Sequence, residues 1–205
     1  HKKDATPSWV FIQAVNKKEK NNKLILFKKL MPEMAINEED FESNYEYYQK
    51  GIDVSALSLH KMLSVAMKMD AINEWGSVVA LTYIAAQRTY PFYTDMADIK
   101  AMLESISRSF GYHYGKAKKV RVNTISQSPT KTTAGSGIKG FEDFYNFADS
   151  LSPLGNASAD ACADYCVSLF SDLTKMVTMQ NLFHDGGYST TGISNEVMEM
   201  FQSKQ

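Results

Sequence analysis

A tyrosine and a lysine seven residues apart, Tyr93 and Lys100, are the side chains of this sequence best suited to chemistry. Seven residues is close to two helical turns, so on one helix both side chains lie on the same face and their polar ends can reach one pocket. A phenol can donate a hydrogen bond or a proton, and a nearby ammonium group favours its ionised form. A second tyrosine, Tyr83, lies ten residues upstream of Tyr93. The spacing therefore predicts a catalytic arrangement.

The segment before this pair predicts a buried strand. Residues 76–81 read Gly-Ser-Val-Val-Ala-Leu, an apolar run of the length that strands have. The helix that carries Tyr93 and Lys100 is predicted to run to about Tyr114. The pair would then lie just past the end of a strand, which is where open α/β sheets bind their ligands.

The rest of the chain reads as helices and strands in alternation. Helices are predicted at 38–73, 141–151 and 159–173, the last with Ser158 as its N-cap, and strands at 119–125 and 179–183. Long helices between consecutive strands are typical of a parallel sheet covered by helices. At 205 residues the chain has the length of one domain.

Several motifs in this order resemble the NADH-dependent enoyl-acyl-carrier-protein reductases, a family of the short-chain dehydrogenase/reductase superfamily. The motifs lie at 81–88, 93–100, 120–126, 129–132, 134–141 and 184–188. The resemblance covers roughly 39–194 without a gap. It implies an α/β fold with a Rossmann-like doubly wound parallel sheet flanked by helices. It also implies hydride transfer from NADH to the C2–C3 double bond of a trans-2-enoyl thioester in type II fatty-acid synthesis.

The resemblance implies roles for Tyr93, Lys100 and Tyr83. Tyr93 would donate a hydrogen bond to the enolate oxygen that forms on the thioester. Lys100 would hold the ribose hydroxyls of the nicotinamide nucleotide, and Tyr83 would be the second active-site tyrosine, beside the acyl chain. The alternatives are a packed aromatic ring for Tyr93 and a solvated surface lysine for Lys100. Asn123 is expected to tether backbone and not substrate.

Two further sets of residues match binding segments of the family. The loop that contacts the nicotinamide amide and the pyrophosphate is matched by Pro129, Thr130 and Thr132. Candidates for the wall of the acyl-chain pocket are Met96, Phe141 and Phe144. Aromatic and methionine side chains at helical spacing are also typical of an ordinary core, and that alternative stays open. No metal site is predicted.

Composition and charge limit the partners. The formal net charge is −1, which gives no reason to expect nucleic acid or a membrane as a partner. The resemblance implies an acidic partner, acyl carrier protein carrying the enoyl group, and Lys131 and Lys139 are cations suitably placed to contact it. It also implies a homotetramer. Two cysteines four residues apart, Cys162 and Cys166, predict one packed helix face and suit a reducing cytoplasm.

Residues 1–33 differ from the reductase-like part, 34–205. They are rich in lysine, and two apolar runs at 9–12 and 24–27 could be strands around a polar turn. A solvated leader and a basic patch for nucleic acid are the alternatives. The superfamily opens with a strand and a glycine-rich turn that binds pyrophosphate, but no glycine precedes Gly51 here. We therefore expect a reductase domain that lacks its first glycine-rich βαβ portion.

Two other functions compete with the reductase interpretation. A ketoreductase or another dehydrogenase of the superfamily would need a serine about thirteen residues before Tyr93, where this chain has Ala80. A non-catalytic fragment or remnant subunit would only associate with full-length partners. Binding of the cofactor separates this last alternative from an enzyme.

Overall fold

The computed structural model describes residues 6–15, 22–31, 45–90, 94–131 and 140–203. These residues form a five-stranded sheet in the order β2-β1-β3-β4-β5. The strands are β1 (Thr6–Val15), β2 (Asn22–Met31), β3 (Ser77–Thr82), β4 (Arg121–Gln127) and β5 (Asn181–His184). Strands β3, β4 and β5 are parallel, as predicted, whereas β1 is antiparallel to both of its neighbours.

Helices precede, connect and follow the parallel strands β3, β4 and β5. They are α1 (Tyr45–Gly51), α2 (Ser58–Lys68), α3 (Thr94–Lys118), α4 (Phe141–Leu151), α5 (Ala159–Phe170) and α6 (Asn195–Gln202). A π-helical segment, Ile52–Leu57, joins α1 to α2. Short 3-10 turns occupy Ile84–Ala86, Asp172–Thr174 and Tyr188–Thr190. None of the helices described here is both long enough and apolar enough to cross a membrane.

The core has one part on each face of the sheet. Val78 and Ala80 of β3 belong to the cluster formed with α2 and α3, and Val79 between them belongs to the cluster formed with α5. This alternation follows from the two-residue period of a strand. The buried Tyr114 of α3 ties its helix to α2 by donating a hydrogen bond to the Leu63 carbonyl at 2.8 Å. Helices on both faces confirm the predicted fold class.

Helix α5 begins and packs as its sequence indicates. The Ser158 hydroxyl accepts a hydrogen bond from the Ala161 amide at 3.1 Å, so the predicted N-cap is confirmed. Cys162 and Cys166 are buried, reduced and packed together under β3 and β4. The helix ends at Phe170, three residues earlier than predicted. It ends there because the Ser171 hydroxyl accepts from the Leu173 amide at 3.3 Å and starts the 3-10 turn that follows.

The two N-terminal apolar runs lie in strands β1 and β2, which form an antiparallel hairpin. β1 also pairs with β3, with Val10 opposite Ala80 and Gln13 opposite Ser77. Only residues 16–21 join the two strands, and a parallel pair needs a crossover of a dozen residues or more. The short connection therefore accounts for the antiparallel pairing of β1 with β2, and the hairpin is added to the sheet through β1 beside β3.

Candidate active site

The carboxyl ends of β3, β4 and β5 meet at one edge of the sheet, and most of the predicted site residues lie there. Lys100, in the second turn of α3, is only 9 % exposed, and its ammonium group donates to the Leu81 carbonyl at 3.0 Å. A solvated surface position for Lys100 is therefore wrong. Tyr93 lies outside the described residues, immediately before Thr94, the first residue of α3.

A buried carboxylate that sequence reasoning missed joins α3 to the end of β3. Glu104, 4 % exposed, accepts hydrogen bonds from the Thr82 hydroxyl at 2.8 Å and from the Gln87 side-chain amide at 3.0 Å. Its position four residues after Lys100 puts both side chains on one face of the helix. That spacing was the available signal, but an acid at i+4 from a lysine is common on exposed helix faces.

Tyr83 follows β3 directly and lies in a cluster of aromatic side chains. Its ring centroid is 5.7 Å from that of Tyr90 and 6.3 Å from that of Phe144, and Tyr90 and Phe144 are 5.5 Å apart. The Tyr90 hydroxyl donates to the Tyr188 hydroxyl at 2.5 Å. This contact spans ninety-eight residues of sequence, so sequence reasoning missed both Tyr90 and Tyr188. The structure thus brings together Tyr83 and the predicted pocket residue Phe144.

The other two predicted pocket residues lie elsewhere. Met96 is 7 % exposed and belongs to the core between α3, the sheet and the N-terminal helices. Phe141 packs beside Tyr145 on α4, with 6.1 Å between ring centroids. Neither belongs to the cluster of buried and partly buried residues around Tyr83. The ordinary-core alternative therefore describes Met96 in this structure.

The predicted cofactor loop begins where β4 ends, and hydrogen bonds fix its first residues. Pro129 is buried, and the Thr130 hydroxyl donates to the Ser128 carbonyl at 3.0 Å. The Ser128 amide donates to the His184 carbonyl of β5 at 3.2 Å, and the Ser128 hydroxyl accepts from the Ala157 amide at 2.8 Å. The third predicted loop residue, Thr132, lies outside the described residues.

Two side chains of β4 attach this strand to β5 and to the segment that precedes β5. Gln127 donates to the Thr130 hydroxyl at 3.3 Å, while its side-chain oxygen lies 2.8 Å from Nδ1 of His184. The prediction that Asn123 tethers backbone is confirmed. Its side chain donates to the Val177 carbonyl at 2.8 Å and accepts from the Gln180 amide at 3.1 Å. The start of the loop is therefore held at the sheet edge that also carries Lys100.

One buried polar atom at this edge is unsatisfied. Ser126, fully buried at the end of β4 and opposite Thr82 in the strand register, has a hydroxyl without a hydrogen-bond partner among the described residues. Native proteins satisfy most buried polar groups, and exceptions occur at functional sites.

Within the same described ranges, no three His, Cys, Asp or Glu side chains are grouped so as to hold a metal ion.

The tyrosine pair beside Tyr83 predicts a pH effect on stability. Burial raises the pKa of Tyr90 and of Tyr188, and the hydrogen bond that Tyr90 donates raises its pKa further. An unfolded tyrosine ionises at about pH 10, so the unfolded chain loses these protons first and the folded state loses stability as pH rises above that value. We expect Tyr90→Phe to flatten the fall in unfolding free energy between about pH 9 and pH 11. Urea unfolding measures this, and equal slopes for the variant and the unmodified chain would contradict it.

Comparison with known proteins shows to which family the chain belongs. Residues 30–189 match the sequence profile of a family described as enoyl-(acyl carrier protein) reductase. The chain is 34 % identical over 139 residues to enoyl-acyl-carrier-protein reductase (NADH) 1 of Rhizobium meliloti, an alignment of 67 % of this chain and 51 % of that protein. It is 32 % identical over 154 residues to the reductase FabI of Rickettsia typhi, with 75 % and 58 % covered. The chain thus spans about half the length of these curated relatives.

Solved structures agree with this match. A crystal structure of a FabI–NADH complex from Alistipes finegoldii superposes with a TM-score of 0.75 at 63 % identity, covering 77 % of this chain and 56 % of that one. A crystal structure of the NADH reductase of Aquifex aeolicus gives a TM-score of 0.68 at 26 % identity, with 78 % and 65 % covered. With Lys100, Tyr83 and the 128–130 loop gathered at the carboxyl edge of a Rossmann-like sheet, this chain belongs to the enoyl-acyl-carrier-protein reductase family.

Proposed function

We propose that this chain carries the catalytic half of an NADH-dependent enoyl-acyl-carrier-protein reductase, in which a trans-2-enoyl thioester is reduced at its C2–C3 double bond. One observation supports this most strongly: Lys100 is buried at the carboxyl end of β3, bonded to the Leu81 carbonyl two residues before Tyr83. An ordinary lysine is rarely buried without a functional or structural partner. Open α/β sheets bind their ligands at the carboxyl ends of the strands, so Lys100 lies where one side chain can contact both cofactor and substrate.

The roles of the side chains follow from the charge that the reaction develops. NADH, when bound, supplies the hydride. Negative charge then builds on the thioester oxygen of the substrate, and Tyr93, next to the first residue of α3, donates a hydrogen bond or a proton to that oxygen. Lys100 holds the ribose hydroxyls and, as a nearby cation, stabilises the phenolate of Tyr93. Tyr83 lines the acyl-chain side with Phe144.

The residues present fit the nicotinamide half of the cofactor. The buried Pro129 and the hydrogen-bonded Thr130 lie next to β5, and Lys100 lies beside β3, so both sides of such a site are in place. We propose that Thr132 completes this loop. What the described residues lack is a glycine-rich turn between a first parallel strand and its helix, the element that binds the pyrophosphate in the superfamily. The sheet position beside β3 belongs to the antiparallel strand β1, and no glycine precedes Gly51.

The alternative to test is a non-catalytic subunit that associates with full-length partners, which the family comparisons do not favour. Antiparallel β1 occupies the position beside β3 on the side away from β4, and β1 is followed by another antiparallel strand. Among the described residues, Lys100 and Tyr83 of the proposed site are present without the opening glycine-rich turn. A ketoreductase is not supported, because Ala80 stands where that reaction needs a serine.

We further propose the setting in which the protein works. The chain divides into a basic leader, 1–33, which contains strands β1 and β2 of the sheet, and a reductase domain, 34–205. It assembles as a homotetramer in the cytoplasm and receives its substrate on acyl carrier protein. Met96 and Phe141 influence the acyl pocket indirectly, Met96 by packing in the core and Phe141 by packing against Tyr145 on α4. Support for these proposals comes from the family membership and from an exposed apolar side chain on α3, that of Met102.

The proposed partner is acidic, which gives a prediction for two lysines. The ammonium nitrogen of Lys131 lies 3.0 Å from a carboxylate oxygen of Glu142 and over the ring of Tyr145. Lys139 lies outside the described residues. Reversing both charges with glutamate should raise the KM for enoyl-acyl carrier protein at least tenfold and leave that for crotonyl coenzyme A within about twofold, since rim charges act mainly through association. Glu142→Gln, which removes the acid beside Lys131, serves as the control and should not raise either KM. Equal effects on the two substrates would contradict the lysine contacts.

Turnover tests the proposed function itself. The purified chain is mixed with NADH and crotonyl coenzyme A, and the loss of nicotinamide absorbance is followed. We expect consumption of NADH that depends on the thioester and disappears in Tyr93→Phe. Binding of NADH without turnover, or turnover that only appears with a full-length reductase present, would favour the associating subunit instead.

A further inference from the structure

Glu104 is a buried carboxylate that the proposed mechanism does not use. It is 4 % exposed, and each of its oxygens accepts one hydrogen bond, from Thr82 at 2.8 Å and from Gln87 at 3.0 Å. A buried carboxylate costs several kcal/mol of desolvation unless hydrogen bonds or charges compensate for it. These two bonds are therefore the contacts that keep Glu104 in place.

The two donors lie on either side of Tyr83. Thr82 ends β3 immediately before it, and Gln87 comes directly after the 3-10 turn Ile84–Ala86. Lys100, one helical turn before Glu104, holds the same strand end through the Leu81 carbonyl at 3.0 Å. Helix α3 is thus hydrogen-bonded at three points to the segment that carries Tyr83, and two of these bonds are made by Glu104.

We propose that Glu104 is a positioning residue, which fixes Tyr83 relative to Lys100 by joining Thr82 and Gln87 to α3. The inference rests on the proposed function, because a reductase site is what gives this distance a chemical role. Tyr83 lines the acyl-chain side and so orients the bound thioester, and a misplacement of about 1 Å in such a positioning group can lower a rate about a hundredfold. Loss of the Glu104 contacts should therefore act on kcat more than on KM.

The chemistry of hydrogen bonding separates positioning from charge. In Glu104→Gln, the amide oxygen can still accept from Gln87, and the amide nitrogen can donate to the Thr82 hydroxyl, which accepts as well as donates. Both links survive without the negative charge. Glu104→Leu removes both links at similar size. Thr82→Val and Gln87→Leu each remove one link, and Gln87 is exposed, so its replacement leaves the core intact.

Steady-state kinetics on the full chain gives the first test. We expect Glu104→Leu to lower kcat at least about tenfold, with the KM for crotonyl coenzyme A and the Kd for NADH within about threefold of the unmodified values. Glu104→Gln should restore kcat to within about threefold, because its two links remain. Glu199→Leu, at an exposed glutamate of α6, is the matched control. A loss in Glu104→Gln as large as in Glu104→Leu would overturn the proposal.

A second test does not depend on turnover. The chain is labelled with 3-fluorotyrosine, and the Tyr83 signal is assigned by its absence in Tyr83→Phe. We expect this fluorine resonance to shift or broaden in Glu104→Leu, Thr82→Val and Gln87→Leu, but not in Glu199→Leu. An unmoved Tyr83 resonance in folded Gln87→Leu and Thr82→Val overturns the positioning role, even if Glu104→Leu does not fold. Failure of the unmodified chain to turn over defeats the proposed function alone, since the Tyr83 signal still decides the role of Glu104.

Discussion

Replacing Tyr93 with phenylalanine is expected to slow the reduction of an enoyl thioester by about 10²- to 10⁴-fold, the usual contribution of a positioned proton or hydrogen-bond donor. At about 1.36 kcal/mol for each factor of ten, this corresponds to roughly 3 to 5 kcal/mol of transition-state stabilisation. The substitution removes only the phenol hydroxyl group. Because that hydroxyl acts on charge that appears during the reaction, kcat should fall while the Kd for NADH stays nearly constant.

Tyr112→Phe is the matched control for this prediction. Tyr112 lies on the same helix, α3, and is 54 % exposed. Its replacement removes an identical hydroxyl from a position with no part in the proposed chemistry. Rates for Tyr93→Phe and Tyr112→Phe are compared with saturating crotonyl coenzyme A. If Tyr93→Phe keeps more than about a tenth of the unmodified kcat, Tyr93 is not the donor to the thioester oxygen.

Replacing Lys100 with methionine is expected to weaken NADH binding by about ten- to a hundredfold. Hydrogen bonds from a charged donor contribute about 1.5 to 3 kcal/mol, and each 1.4 kcal/mol is a factor of ten in Kd. Turnover should fall further, because the cation beside the Tyr93 phenol is lost at the same time. Methionine has a similar length and fills the buried volume that the lysine stem occupies.

Lys116→Met controls for the loss of a charge on α3, since Lys116 is exposed on the last turns of that helix. Fluorescence titration with NADH gives the Kd for both variants, and circular dichroism checks that both are folded. An unchanged Kd in folded Lys100→Met would mean that Lys100 serves the fold, through its bond to the Leu81 carbonyl, and not the cofactor.

The sequence was sufficient for the elements that follow local rules. The apolar run at 76–81 predicts β3, the 3.6-residue period predicts α3, and Ser158 predicts the start of α5. These signals are strong because burial on one or both faces imposes a period on the residues. The position of Lys100 just past a strand end followed from the same two elements.

Long-range pairings were beyond such reasoning. The hydrogen bond between Tyr90 and Tyr188 depends on how α4 and the C-terminal turn pack, which no local pattern records. The antiparallel pairing of β1 with β3 is likewise a long-range contact that no local pattern records. The role of Glu104 could not be predicted from the sequence, because its burial, and not its spacing, distinguishes it from a surface acid.

Titration of NADH into the purified 205-residue chain tests most directly whether a working nicotinamide site exists at the carboxyl edge of β3 and β4. The emission of the reduced nicotinamide is followed as the chain is saturated. We predict a saturable increase in emission for the unmodified chain and for Lys116→Met, and a much weaker one for Lys100→Met. A folded chain that shows no saturable change up to millimolar NADH would contradict the account. It would mean that Tyr93, Lys100 and the 128–130 loop are kept in a subunit that does not bind the cofactor.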